Sequence, residues 1–221
     1  NLWFDFCKGG LAPGPVSDCA TIPPFLPSDQ TIVKEVTSIT GRIWMDRNLG
    51  AYTPARASDD CFAYGNLFQQ GRVDDGHENR TSPTASGPVT AGNEGSNFII
   101  TGQPVWVTPV DFNRWDANAT TPGPPVVKTV NDPCPTGFRV PTIQELDDER
   151  QSWSSNDAAG ALNSPLKLPL ARQRRADNGI IETGAAGKYW SSSFRINRFR
   201  SLFIVPTTTQ LRSDVQGNGN S

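Results

Sequence analysis

Residues 132–153 constrain the fold more than any other stretch, because almost every residue in it favours one local structure. Pro133 and Pro135 hold the backbone extended on either side of a cysteine. Residues 138–140 then predict a short strand, which ends at Pro141 because proline has no backbone N–H to donate. The stretch is therefore predicted to lead from a rigid extended segment into one short strand.

A helix is predicted directly after this strand. Thr142 is the expected N-cap, and Glu145 three residues later completes a capping box, in which each side chain bonds to the other residue's backbone N–H. A cap of this kind stabilises a helix by about 1 kcal/mol. Helical spacing predicts one stripe that faces the core: Ile143, Leu146, Arg150 and Trp153. The acidic run Asp147, Asp148 and Glu149 is expected to face solvent.

The rest of the sequence predicts a loop-rich protein built mainly from short strands. Its 20 glycines and 19 prolines are spread along all 221 residues without a period. Strands are predicted at residues 31–39, 42–45, 98–100, 105–106, 166–172, 188–193 and 199–205. The first two form a hairpin that turns at residues 40–41, and residues 177–179 form a second hairpin turn. A short helix is predicted from Asp59 or Asp60 to Gly71.

Four segments form an ordered set of motifs. They are Gly41-Arg-Ile-Trp-Met-Asp-Arg-Asn-Leu-Gly50, Tyr64-Gly-Asn-Leu-Phe-Gln69, Asp132-Pro-Cys-Pro-Thr-Gly-Phe-Arg-Val-Pro-Thr142 and Tyr189-Trp-Ser-Ser-Ser193. In this order they resemble the Fibrobacter succinogenes major paralogous domain family, over residues 30–221. That family occurs on surface and secreted proteins of Bacteroidetes and their relatives, so the resemblance implies an exported protein. It implies little about activity, because one fold hosts many functions.

The resemblance also implies a fold class. The family is similar in strand and helix order to the C-type lectin-like fold, which is α+β: a curled, mostly antiparallel sheet with two short helices and long ordered loops. This domain is expected to span residues 29–221. Family members usually pair the cysteine equivalent to Cys134 with one in a final strand that has no counterpart before Ser221. Either the natural chain continues, which we favour, or Cys134 pairs with Cys61 or stays free.

Residues 1–28 are predicted to be a leader, the end of a preceding module, or a strand packed on the main domain. Cys7 and Cys19 flank a loop rich in glycine and proline, and we predict a disulfide bond between them, worth about 3 kcal/mol. Four cysteines allow three sets of pairings, and sequence alone does not choose among them. Their number favours an oxidising compartment, so the predicted location is extracellular or at the cell surface.

One cluster of candidate catalytic or metal-binding residues lies in the long polar stretch of residues 72–97: Asp74, Asp75, His77 and Glu78. Acidic residues around a glycine are more typical of a solvated loop tip, and the ligand spacing of an EF-hand is absent. His77 is the only histidine, and no nucleophile motif accompanies it. Phosphate-loop, dinucleotide-binding and zinc motifs are also absent. We therefore expect no catalytic residue, no metal and no cofactor.

The best candidate binding surface is a basic and aromatic rim near the C-terminal end. Residues 160–221 carry nine Lys/Arg against three Asp/Glu, a charge of +6, whereas residues 1–159 carry −8. The predicted ligand-binding residues are Phe194, Arg195, Asn197, Arg198, Phe199, Arg200 and Arg212, with Arg174 and Arg175 as an extension. Guanidinium groups bind carboxylates and phosphates through paired hydrogen bonds, and aromatic faces stack on sugars. The alternative is a strand edge whose positive charges only prevent sheet-to-sheet pairing.

We expect a non-catalytic recognition module, an adhesin or ligand-binding domain for surface glycans or surface proteins. The first alternative is a structural tip or cap subunit of an extracellular filament, pilus or virion, in which the rim contacts other subunits. A hydrolase built on Asp74, Asp75 or Glu78 is a weaker alternative. Nucleic-acid binding is disfavoured by the net charge of −2, and no apolar run is long enough to span a membrane.

Overall fold

The computed structural model describes residues 26, 30–102, 104–119, 125–195, 198–214 (of 213 and 214 only the backbone) and 219–221. Eleven strands lie in these ranges: β1 (Glu35–Thr37), β2 (Ile43–Met45), β3 (Phe68–Gln69), β4 (Thr84–Ser86), β5 (Val89–Thr90), β6 (Phe98–Ile100), β7 (Val107–Thr108), β8 (Gly187–Arg195), β9 (Arg198–Val205), β10 (Thr208–Asp214) and β11 (Gly219–Asn220). The described residues also form two α-helices, α1 (Ile143–Ser152) and α2 (Ala158–Asn163), and one 3-10 helix, Cys61–Ala63.

The strands form five separate small sheets. The largest has the order β10-β9-β8 and is antiparallel throughout. The other four are pairs: β1-β2 and β11-β3 are antiparallel, whereas β4-β6 and β5-β7 are parallel. The predicted C-type lectin-like fold, with one curled and mostly antiparallel sheet, is therefore wrong. Most strands are only two or three residues long, and such short strands make too few backbone hydrogen bonds to join one continuous sheet.

Several local predictions are confirmed. Thr142 caps α1, and its side chain and that of Glu145 bond reciprocally to the backbone as a capping box. The hairpin β1-β2 pairs Val36 with Trp44 and turns at Gly41, whose φ of 80° is a left-handed conformation that glycine adopts without strain. The strands predicted at residues 98–100, 188–193 and 199–205 are present within β6, β8 and β9.

Three predicted strands do not form. The one predicted at residues 105–106 is replaced by β7 at the next two residues, and the other two lie at residues 138–140 and 166–172. At residues 138–140, the N–H of Val140 donates to the carboxylate of Asp132 at 2.8 Å instead of to a neighbouring strand. Residues 166–172 form no regular strand, and the N–H of Leu170 donates at 2.7 Å to the carbonyl oxygen of Ser58 in a loop. Both segments therefore satisfy their backbone groups with side chains and loops, which a local sequence pattern does not indicate.

The helix predicted after Asp60 is shorter than expected. Asp60 does cap it, with its carboxylate accepting from the N–H of Phe62, but the element is a 3-10 helix whose C-cap is Tyr64. Gly65 follows with a φ of 65°, a left-handed conformation that ends the helix well before Gly71. The prediction of a cap is confirmed, and the predicted length is wrong.

The core lies on both sides of the β8-β9 pair. Tyr189 and Leu202 are opposite each other and pack in a cluster with residues of α1 and α2. Trp190, the next residue along β8, packs in a second cluster with Phe68 and Trp115. Because side chains alternate from one side of a strand to the other, this one strand pair supports two separate apolar clusters.

Glu149 is buried, so the prediction that it faces solvent is wrong. Its Oε1 atom accepts hydrogen bonds from the hydroxyl of Ser38 at 2.6 Å, from the indole N–H of Trp44 at 3.0 Å and from the hydroxyl of Thr40. All three donors belong to the β1-β2 hairpin or its flanks. The carboxylate therefore joins α1 to a hairpin that lies more than 100 residues earlier in the chain.

The two described cysteines differ in whether they form a disulfide bond. Cys61 is disulfide-bonded and Cys134 is free, so these two cysteines do not pair with each other. The predicted Cys7–Cys19 bond lies outside the described residues, as does almost all of the predicted leader at residues 1–28. No helix in the described part of the chain is long and apolar enough to cross a membrane.

Candidate functional site

The predicted rim lies mainly on the hairpin formed by β8 and β9. Arg195 and Arg198 are paired directly across the two strands, as are Phe194 and Phe199. Because side chains alternate along a strand, Arg200 lies on the same side of the sheet as Arg198. Arg195, Arg198 and Arg200 therefore share one side, and we call this set the arginine hairpin.

No acidic side chain among the described residues compensates the positive charge of the arginine hairpin. Arg195 and Arg198 are exposed and Arg200 is half-buried. None of the three forms a salt bridge with a described residue, and Nε of Arg200 is buried without a hydrogen-bond partner. Like charges directly opposite each other in a sheet destabilise it by roughly 0.2–1 kcal/mol. An anion bound between the two exposed guanidinium groups would remove this repulsion.

The other predicted rim residues are placed differently. Arg212 lies on the opposite side of the sheet, where its guanidinium is 3.7 Å from the ring centroid of Phe203. Phe199 is buried, and Phe194 stacks on Phe112 with ring centroids 4.5 Å apart. The two phenylalanines of the rim therefore pack against other side chains, and the structure brings only the three arginines of the hairpin together.

Arg174 and Arg175 do not extend the rim, because both are engaged within the protein. Arg174 is buried, and its guanidinium donates to the hydroxyl and the carbonyl oxygen of Ser82 at 2.6 and 2.7 Å. Arg175 forms a salt bridge of 2.5 Å with Asp177. Asn197 lies outside the described residues.

Three members of the predicted acidic cluster come together in the structure. Ligand atoms of Asp75, His77 and Glu78 lie within 4.8 Å of one another. The cluster is not the solvated loop tip that the sequence predicted, because His77 is fully buried and Glu78 is only 4% exposed. Short-range bonds fold the loop in this way: the N–H of His77 donates to Asp75 at 3.1 Å, and the N–H of Gly76 donates to Glu78 at 2.9 Å.

Burial sets the protonation of this cluster. It lowers the pKa of His77 to about 4, so the ring is neutral at pH 7. Nε2 of His77 accepts from the backbone N–H of Gln69 at 2.9 Å, which places the ring proton on Nδ1, 2.6 Å from a carboxylate oxygen of Asp75. Burial and the neighbouring Asp74 raise the pKa of Glu78 to about 8, so this carboxyl is mostly protonated at pH 7.

The guanidinium of Arg72 already binds the carboxylate oxygens of Asp75 that a metal ion would need. Its side chain is fully buried, and one guanidinium nitrogen donates to both carboxylate oxygens of Asp75, at 2.9 and 2.8 Å. Both ring nitrogens of His77 are also engaged within the protein. A cation would have to displace a buried guanidinium and a backbone hydrogen bond. The geometry therefore supports an internal polar network, not an open metal site or an acid–base pair.

A cavity of about 300 Å³ lies between β2, residues 133–141 and residues 220–221. Its walls include six aromatic side chains: Trp44, Phe68, Trp115, Phe138, Tyr189 and Trp190. Apolar cavities with a few polar groups are the usual form of a small-molecule site. Most of the lining residues belong to the four motif segments 41–50, 64–69, 132–142 and 189–193. Because these segments are far apart in the chain, the sequence did not show that they surround one cavity.

No protein-family model, no curated protein and no solved structure matches the chain. The resemblance to the Fibrobacter succinogenes family therefore stays a prediction.

Proposed function

We propose that this protein is a non-catalytic recognition module that binds acidic carbohydrate through the arginine hairpin. The observation that carries the proposal is the pairing of Arg195 with Arg198 across β8 and β9, both exposed and both without an acidic partner among the described residues. A planar guanidinium donates two parallel hydrogen bonds to a carboxylate or a sulfate. Two guanidinium groups side by side can each bind one anionic group of a polymer that carries such groups at regular intervals.

The placement of the aromatic residues narrows the ligand class. Phe194 and Phe199 pack against other side chains, so the hairpin offers charge and hydrogen-bond donors but no free aromatic face for the ring of a sugar. Recognition at this surface therefore depends on the acidic substituents of a glycan and not on its neutral rings. The predicted extracellular location is part of the proposal, and the disulfide-bonded Cys61 supports it because such bonds persist in oxidising compartments.

The test is direct binding to immobilised polysaccharides: polygalacturonate for carboxylates, heparin for sulfates, and dextran as a neutral polymer. The hairpin variant is Arg195→Ala with Arg198→Ala. The matched control is Lys34→Ala with Arg175→Ala, which removes two exposed positive charges elsewhere on the surface. We expect the unchanged protein and the control to bind an acidic polymer similarly, and the hairpin variant to bind it at least tenfold more weakly, on the order of one lost charged hydrogen bond.

Two results would overturn the proposal. One is equal loss of binding in both double variants, which would show that only net charge matters. The other is binding to dextran as strong as binding to the acidic polymers, which would show that the anionic groups are not recognised.

A further inference from the structure

The aromatic cavity contains buried polar groups that have no partner in the part of the chain that the structure describes. Asn220 is fully buried, and neither its Oδ1 nor its Nδ2 atom forms a hydrogen bond with a described residue. Asn66 is 2% exposed, and its Oδ1 is also without a partner although its Nδ2 donates to the carbonyl oxygen of Leu26 at 3.1 Å. Both side chains line the cavity. Buried polar atoms in folded proteins are nearly always hydrogen-bonded, so these amides indicate a ligand.

The charged side chains that line the cavity are already neutralised by partners within the protein. The pairs are Arg42 with Asp148 at 3.1 Å, Arg47 with Asp46 at 2.8 Å and Arg139 with Glu145 at 2.7 Å. The other ionisable side chains that line the cavity are the thiol of Cys134 and the phenol of Tyr189, and burial raises the pKa of both, so both are neutral as well. A charged ligand would enter without a free counter-charge, which is unfavourable. The cavity therefore suits a neutral ligand.

We propose that the cavity binds one neutral sugar ring, such as a hexopyranose unit, held by Asn220 and Asn66 among the aromatic walls. A sugar hydroxyl both donates and accepts, so adjacent hydroxyls can donate to the two Oδ1 atoms and accept from Nδ2 of Asn220. The C–H faces of the ring pack on aromatic side chains, of which Trp44, Trp115 and Trp190 are the largest in the wall. This site is separate from the arginine hairpin and does not depend on it.

The test is titration of the full chain with the methyl glycosides of glucose, galactose, mannose and N-acetylglucosamine. Binding is measured by tryptophan fluorescence and by saturation-transfer NMR. Uridine, whose planar ring carries an amide-like edge, serves as a neutral ligand of a different class. We expect at least one glycoside to bind saturably and to contact the protein more strongly than uridine.

Asn220→Leu is the informative variant, because leucine has a similar shape and leaves no unpartnered polar atom. We expect it to bind the glycoside at least tenfold more weakly and to melt at the same or a higher temperature than the unchanged protein. A purely structural role of Asn220 would instead lower the melting temperature. Cys134→Met, which fills part of the cavity with an apolar side chain, should also weaken binding, whereas the double variant Arg195→Ala with Arg198→Ala should bind the glycoside normally.

Three outcomes would overturn the proposal: no glycoside binds, uridine binds better than every glycoside, or Asn220→Leu folds and binds as tightly as the unchanged protein. Loss of glycoside binding in the double arginine variant would show that the bound sugar lies at the arginine hairpin and not in the cavity. Because acidic polymers test the hairpin and neutral glycosides test the cavity, either proposal can fail while the other stands.

Discussion

Trp44 donates its indole N–H to the buried carboxylate of Glu149 at 3.0 Å, and this bond connects β2 to α1. The same oxygen accepts from the hydroxyls of Ser38 and Thr40, so one atom holds three donors of the β1-β2 region. The position of the hairpin on the helix therefore depends on this single carboxylate.

Removing the carboxylate should destabilise the protein strongly. In Glu149→Ala the three donors lose their acceptor, and we expect the free energy of unfolding to fall by about 3 kcal/mol or more. Glu149→Gln keeps a carbonyl oxygen in place and should lose less stability than Glu149→Ala. Asp148→Ala, on the half-exposed neighbour that pairs with Arg42 at 3.1 Å, should change stability by about 1 kcal/mol or less. Urea denaturation measures all three, and equal losses for Glu149→Ala and Asp148→Ala would contradict the assigned role.

The pKa of Glu78 predicts a pH dependence of stability. Burial and Asp74 raise this pKa to about 8 in the folded protein, against an ordinary value of 4.5. Between these values the folded chain holds a proton that the unfolded chain has released, so the free energy of unfolding falls as pH rises and becomes constant above pH 8. His77 has the opposite effect, because its pKa is lowered to about 4, but that effect ends near its ordinary value of 6.5.

Between pH 6.5 and 8, the pH dependence of the free energy of unfolding therefore reports on Glu78 without a contribution from His77. Glu78→Gln replaces the protonated carboxyl by an amide of the same shape, so the variant should gain stability relative to the unchanged protein across this range, by about 2 kcal/mol. Chemical denaturation at three pH values measures the difference. A difference that is constant with pH would show that Glu78 ionises normally in the folded state.

The network around Arg72 should not bind zinc. Its guanidinium is bonded to both oxygens of Asp75, and both ring nitrogens of His77 are engaged, so no ligand atom pair is free for an ion. We expect the melting temperature to change by no more than about 1 °C with either ZnCl₂ or a chelator, because a ligand that binds the folded state raises it by several degrees. A zinc-dependent rise that His77→Gln abolishes would establish a metal site instead.

A side chain at residue 160 in α2 should destabilise the protein. Glycine to alanine in a helix usually stabilises by up to about 1 kcal/mol. Here a Cβ atom at residue 160 would lie 1.9 Å from the carbonyl oxygen of Ser155, so the backbone must move. We expect Gly160→Ala to lower the melting temperature, at a cost of about 1–3 kcal/mol. Ala159→Gly, at the exposed neighbouring position, should lower the free energy of unfolding by about 1 kcal/mol. This control measures the effect of helix propensity alone in the same helix. A stabilised Gly160→Ala protein would contradict this packing.

The features that sequence predicted correctly depend on residues close together in the chain. The capping box of Thr142 and Glu145 spans three residues, and the cap by Asp60 spans two. The turn at Gly41 needs only one residue that tolerates a positive φ. Such signals are complete within one short window, so reading them requires no knowledge of the fold.

The features that sequence missed depend on contacts between distant segments. Glu149 belongs to an acidic run that predicts an exposed face, and it is buried because a hairpin more than 100 residues earlier supplies three donors. The parallel pairs β4-β6 and β5-β7 are likewise not specified by the composition of strands two or three residues long. For the same reason Arg174, predicted at a binding rim, is instead held by Ser82.

Salt should distinguish the two proposed sites. Binding of an acidic polymer by the exposed Arg195 and Arg198 is electrostatic, and the screening length falls from about 10 Å at 0.1 M salt to about 3 Å at 1 M. We expect this binding to weaken by about tenfold or more over that range, and the double variant Arg195→Ala with Arg198→Ala to depend less on salt. Binding of a neutral glycoside in the cavity involves no net charge, so its affinity should change by less than about twofold. Isothermal titration at three salt concentrations measures both. If glycoside affinity fell in parallel with polymer affinity, the two ligands would share one charged site.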